Sequence, residues 1–106
     1  MKKNKIIEIH EFNPIEGIID NALLKAVKKA QYNFFRKQKR FIECRVLKTK
    51  ETWFKITYWD NINDAESANQ EFLQHPSCLP FVQMISPLSE KRLFVTQQFS
   101  TRAKSQ

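Results

Sequence analysis

The stretch FIECRVLK (Phe41–Lys48), the polar link Thr49, Lys50, Glu51, and the stretch TWFKITYW (Thr52–Trp59) decide the architecture. Both flanks are rich in aromatic and β-branched residues, and the link is short, so they read as two strands joined in a hairpin. Upstream, Ile6–Phe12 alternates in polarity, is rich in isoleucine and ends at Asn13-Pro14, the mark of another strand. Between these strands, Leu23, Val27, Ala30 and Phe34 recur at spacings of four, three and four, one apolar stripe on a helix running from about Asp20 to Lys37. Arg36, Lys37 and Lys39 then suit the negative end of that helix. Downstream, Asn61 and Asp64 form a capping pair for a second helix with an inner stripe of Ala65, Ala68 and Phe72, ended by Pro76. Leu79–Ile85 reads as a short helical turn and Arg92–Phe99 as a final strand. This order predicts an α+β fold, the ferredoxin-like split βαβ arrangement with a four-stranded antiparallel sheet and both helices on one face.

With 106 residues there is room for a single domain, placed at residues 6–99 between a basic N-terminal tail (1–5) and a disordered C-terminal tail (100–106). Apolar residues make up 42% and charged residues 27%, which excludes a collagen, a disulfide scaffold or a chain disordered throughout. Glycine is the sharper count. Gly17 is the sole one, so no glycine-rich phosphate loop, dinucleotide fingerprint or GXXG clamp exists, and most nucleotide-dependent enzymes drop out. Cys44 and Cys78 follow no secretory signal and no apolar stretch approaches the ~20 residues of a spanning helix, so a cytoplasmic protein with reduced thiols and no membrane insertion is expected.

The formal charge of +7 suggests an acidic partner, but position decides its meaning. Five basic residues lie in the tails and seven more (Lys25, Lys28, Lys29, Arg36, Lys37, Lys39, Arg40) in the acid-free run Asn21–Ile42; the remaining six face eleven acids. The plain reading is a solvated helix face; nucleic-acid binding through it is the rival, although Phe41–Lys48 lacks the glycine-containing signature of RNA-recognition strands.

Alternation sorts each strand into two rows. Ile7 and Ile9, with Ile42, Cys44 and Val46, and with Phe54, Ile56 and Tyr58, form an apolar row expected beneath the helices. The opposite row is Glu8, His10, Phe12; Phe41, Glu43, Arg45, Leu47; Trp53, Lys55, Thr57, Trp59; and Leu93, Val95, Gln97, Phe99. That row is too apolar for water and too charged for a core, so two copies packed face to face, enclosing a partly wet chamber, are expected: a homodimer.

The run Trp53–Asp60, followed by Asp64-Ala65, Ala68, Phe72 and His75-Pro76, resembles the dimeric α/β barrel superfamily, and within it the antibiotic-biosynthesis-monooxygenase-like domains. Phe41-Ile42 and Arg45-Val46-Leu47 are similar to the family's strand after its first helix, with Arg40 where a glycine is usual. The resemblance, spanning roughly Ile6 to Phe99, implies two protomers forming a dimeric α/β barrel, each with a cavity on its sheet. Related activities include cofactor-free oxygenases of aromatic polyketides or quinols, haem-degrading enzymes and isomerases. The haem-degrading branch uses an Asn on the first strand, a Trp ending the third and a His on the later helix. Trp59 matches the second, whereas the first strand offers Glu8 and His10, and the helix position is expected near Phe81 or Val82, so haem is disfavoured and no cofactor is expected.

On these grounds His10 is the candidate base, near neutrality by its ordinary pKa, taking a proton from a phenol or enol. Arg45 and Lys55 are the candidate oxyanion stabilisers, and Glu8, Glu43, Trp53, Trp59 and Phe12 the candidate substrate-binding residues. Each has a structural reading beside it: His10 as a satisfied partner of a glutamate, Glu8 and Glu43 as counter-ions of Arg45 and Lys55, and the two tryptophans as dimer interface. His75 and Cys78 have metal-pair spacing but are too few for a site, so no metal is expected and His75 reads as a helix-end residue. The sequence thus points to a small-molecule-binding homodimer resembling cofactor-independent monooxygenases or isomerases of aromatic or quinoid substrates. The alternatives are a non-catalytic structural or regulatory dimer and nucleic-acid binding through the first helix.

Overall fold

The structure, a computed structural model, describes residues 5–104. The expected N-terminal tail, except Lys5, and Ser105 and Gln106 of the C-terminal one lie outside the described residues. The elements follow the expected order: β1 (Ile6–Phe12), α1 (Asp20–Asn33), β2 (Phe41–Lys48), β3 (Trp53–Trp59), α2 (Ile62–Phe72), α3 (Leu79–Met84) and β4 (Lys91–Thr96). The strands form one antiparallel sheet in the order β2-β3-β1-β4, a ferredoxin-like α+β fold.

Local chemistry explains the boundaries. α1 buries Leu23, Ala26, Val27 and Ala30 and stops four residues short of the expected end, because Phe34 leaves helical geometry (φ −133°) and a single 3₁₀ turn, Phe35–Lys37, follows. The break turns Phe34 and Phe35 inward together, their rings 5.0 Å apart, and moves Arg36 and Lys37 off the helix end. α2 starts where the capping pair placed it: the Asn61 side chain accepts hydrogen bonds from the backbone of Asn63 and Asp64. β4 is shorter than expected, and Phe99 lies beyond it, exposed. Among the described residues two have positive φ, Gly17 (92°) in the turn before α1 and Arg40 (64°) just before β2. Arg40 occupies the position where the resembling family has glycine, and its carbonyl accepts the amide of Asp60 at 2.9 Å.

The faces of the sheet are the main correction. Glu8, His10, Phe12, Trp53, Lys55, Thr57 and Trp59, expected to face a chamber between two subunits, are the buried row beneath the helices, while Ile7, Ile9, Phe54, Ile56 and Tyr58 lie on the uncovered face. Cys44 and Val46 do lie beneath α1, as expected, but with the charged row, since Cys44 pairs with Thr57 and Val46 with Lys55. A bulge between Phe41 and Glu43 makes Ile42 the extra residue, so Phe41 joins that inner row too, opposite Trp59. Glu43, Arg45 and Leu47 are left on the open face. Leu93 and Val95 of β4 do face away from the helices, as expected, but beside Ile9 and Ile7, while Phe94 and Arg92 pair with Glu8 and His10 on the inner side. Apolarity alone misled the sorting, because the inner charges meet partners on α2 and β4 that no single strand reveals.

Candidate functional site

β1 and β3 pair so that Glu8 faces Thr57 and His10 faces Lys55, which sets four polar side chains side by side under the helices. α2 closes over them with Asn69, and β4 adds Arg92. The Glu8 carboxylate is the hub: it accepts Trp59 Nε1 at 3.0 Å and Asn69 Nδ2 at 2.8 Å, and pairs with Arg92 Nε at 2.8 Å. Three donors from three elements satisfy a charge that would otherwise be costly in a core. On the first strand and at the end of the third, two positions that the resemblance singled out, stand Glu8 and Trp59, bonded to each other, and Asn69 of α2 joins them. Phe81 packs on Phe12 and Phe72, at 5.3 and 5.6 Å between centroids.

Beside the satisfied hub lies a group of unsatisfied atoms. Both nitrogens of His10, Lys55 Nζ and Asn69 Oδ1 are buried with no hydrogen-bond partner among the described residues. Lys55 is about 1% exposed and points its Nζ at the Phe35 ring, 3.8 Å from the centroid, with Phe72 at 5.6 Å. Burial pushes the Lys55 ammonium below the ordinary lysine range, against the pull of Glu8. Burial likewise lowers His10 to about 2, with Lys55 and Arg92 adding to the effect. Its imidazole is therefore neutral, and the 3.6 Å approach to Glu90 Oε2 is neither an ion pair nor a hydrogen bond. Buried polar atoms without partners are rare in native folds, and this group of them makes the surroundings of Lys55 and His10 the candidate site.

The remaining candidates divide. Phe12, Trp53 and Trp59 are walls of this interior, buried within one chain, so the two tryptophans are not surface for a second subunit. Glu43 and Arg45 pair with each other at 2.7 Å on the open face, where Arg45 is 61% exposed, and neither meets the cluster. Sequence reasoning missed Arg92 and Asn69. Arg92 lies two residues before Phe94 in a strand whose phase only pairing fixes, and Asn69 follows Ala68 on the inner stripe of α2, a spacing that a helical projection of that stripe would have included. His75 is a helix-end residue as expected: its Nδ1 accepts the amide of Ser77 and its ring packs on Phe34. Among the described residues no group of three or more His, Cys, Asp or Glu is placed to hold a metal, and no helix is long and apolar enough to cross a membrane.

Solved structures share the fold. SnoaB of Streptomyces nogalater, a cofactor-independent oxygenase, superposes with a TM-score of 0.70 at 12% identity over 92% of this chain and 96% of its own. At that identity the likeness is one of fold. A "putative antibiotic biosynthesis monooxygenase" of Bordetella bronchiseptica matches at a TM-score of 0.72 and 10% identity, over 91% of this chain and 99% of that one. A nipsnap family protein of unknown function from Agrobacterium tumefaciens matches at 0.63 and 15%, over 94% and 95%. No family model and no curated protein matches the sequence. Within this shared fold, the buried cluster sits between the sheet and the helices of one chain.

Proposed function

We propose that the chain is a cofactor-independent monooxygenase-type protein acting on a small phenolic or quinol substrate, with the cluster around Lys55 as its site. The observation that carries the reading is Lys55 itself: a buried amine without a hydrogen bond, held over aromatic rings, beside an unpartnered imidazole. An ammonium in a dry setting stabilises a developing phenolate far more strongly than one in water. The phenolate is electron-rich enough to reduce dioxygen at a ring carbon; loss of water from the resulting hydroperoxide leaves a quinone.

His10 enters after Lys55 in this scheme. With its pKa lowered to about 2 it is a poor base in the free protein. Negative charge growing on the substrate oxygen opposes the influence of Lys55 and Arg92, so the imidazole gains basicity as the proton leaves. Glu8, Trp59, Asn69 and Arg92 hold the frame, and Phe12, Phe35 and Phe72 supply flat apolar contact for a ring. Arg45, on the other face, has no place in this chemistry.

A homodimer completes the proposal. Ile7, Ile9, Phe54, Ile56 and Tyr58, with Leu47, Leu93 and Val95 half exposed around them, leave a continuous apolar patch uncovered at the centre of the open face, with Glu43 and Arg45 beside it. A second copy is its natural cover, through a two-fold axis. Sedimentation should give twice the chain mass, and Ile9→Asp should give monomers.

The site is tested with 4-nitrophenol, whose phenolate absorbs in the visible. Bound to the protein it should ionise at a lower pH than in buffer, and Lys55→Met should remove the shift. Oxygen uptake with naphthalene-1,4-diol should fall to background in the same variant. An unshifted titration, or uptake unaffected by Lys55→Met, would overturn the assignment.

A further inference from the structure

The acid-free basic run takes no part in the buried cluster, yet one flank of α1 opens onto a cleft of its own. Between α1 and the edge strand β2 lies a cavity of about 330 Å³, at the small end of the ~300–1,000 Å³ of small-molecule sites. Its floor is apolar: Leu24, Val27, Phe41 and Val46. Its mouth carries Lys28 and Arg36, and neither has an ion-pair partner among the described residues. Arg36 is held in place, its Nε donating to the Tyr32 carbonyl at 3.2 Å and its guanidinium lying 5.0 Å from the Tyr32 ring centre, which leaves the terminal nitrogens to meet a ligand. Deeper in, the amide Nε2 of Gln31 is buried without a hydrogen bond.

We propose that this cleft binds a small amphipathic carboxylate, its ring or short chain on the apolar floor and its anionic head at Arg36 and Lys28, with the Gln31 amide as a further donor. Uncompensated positive charge at the rim of an apolar hollow selects such a ligand: a neutral apolar molecule would leave the donors idle, and a fully polar anion would leave the floor wet. The cleft opens away from the proposed oxygenase chemistry and adjoins the buried cluster along β2, where Cys44 accepts the Thr57 hydroxyl at 3.6 Å and Val46 and Phe41 lie opposite Lys55 and Trp59.

Calorimetric titration of the full chain with naphthalene-2-carboxylate, and with the neutral naphthalene-2-carboxamide, tests it. The acid should bind and the amide should bind at least about tenfold more weakly, the scale of one charge-assisted hydrogen bond. The surface double variant Lys28→Gln with Arg36→Gln should lose a similar factor, and Val46→Trp, which fills the hollow, should abolish binding. The side-chain amide resonance of Gln31 should shift on titration. Lys55→Met should leave this affinity unchanged, which separates the cleft from the buried site. Equal binding of acid and amide, affinity unaltered in the double variant, or an unmoved Gln31 resonance would each overturn the proposal.

Discussion

Acid should destabilise this fold through His10, and linkage sets the size of the effect. The imidazole is enclosed by Lys55 across the ladder, Arg92 on β4, Glu8 two residues away and Glu90 at 3.6 Å, and in the folded chain it resists protonation down to a pKa of about 2. The unfolded chain protonates the same ring near pH ~6.5. Between those values the unfolded state binds a proton that the folded state refuses, so stability is complete above the unfolded pKa and falls as the pH drops through the interval. Each pH unit costs about 1.4 kcal/mol, so moving from pH 7.5 to 4.5 should remove about 2.7 kcal/mol, a large share of a total near 5–15 kcal/mol. Surface carboxylates titrate over the same range, which the comparison with His10→Leu cancels: the variant carries every charge but this one. Urea unfolding of both chains at the two pH values should show the native midpoint falling further than the variant's by about 1–3 M, given a slope of ~1–3 kcal/mol per M. At pH 7.5 the variant should be no less stable than the native chain, since a leucine of similar size leaves no unpartnered nitrogens. Parallel pH profiles for the two proteins would refute both the burial and the neutrality of His10.

Glu8→Ala should cost about 3–5 kcal/mol in urea or thermal unfolding, because it leaves Arg92, Asn69 and Trp59 facing a core with no acceptor. Arg40→Gly should stabilise by about 1 kcal/mol, since its φ of 64° strains any residue with a Cβ and the 4.0 Å contact with Asp64 is too loose and exposed to offset that; a lower melting temperature would show that the side chain matters more than the backbone. Asn61→Ala should cost about 1 kcal/mol through loss of the two amide bonds that open α2, and helix content by circular dichroism should fall with it.

The element order was legible because each element advertises itself locally: the isoleucine alternation of β1, the four-three-four stripe of α1, the Asn61 cap. What escaped was relational. Whether Glu8 or Ile7 faces the helices depends on Asn69 and Arg92, fifty or more residues away, arriving to neutralise and bond the carboxylate. Mean polarity therefore favoured the wrong side, and the apolar side proved to be the open one. His10, Lys55, Glu8 and Trp59 were correctly grouped, since β1 and β3 each alternate without interruption. Glu43 and Arg45 were grouped with them wrongly, because the sequence gives no sign of the pairing between Cys44 and Thr57 that assigns β2 its phase.

The bulge at Ile42 means that β2 carries one residue more than its neighbour needs. Shortening the strand there, by removing Ile42 or Glu43, would tidy the ladder and leave Phe41, Cys44 and Val46 looking inward as before. Removing Cys44 instead shifts the alternation beyond the bulge and turns Arg45 toward the cleft beneath α1. Two deletions a single step apart should thus have opposite fates, one silent and one ruinous.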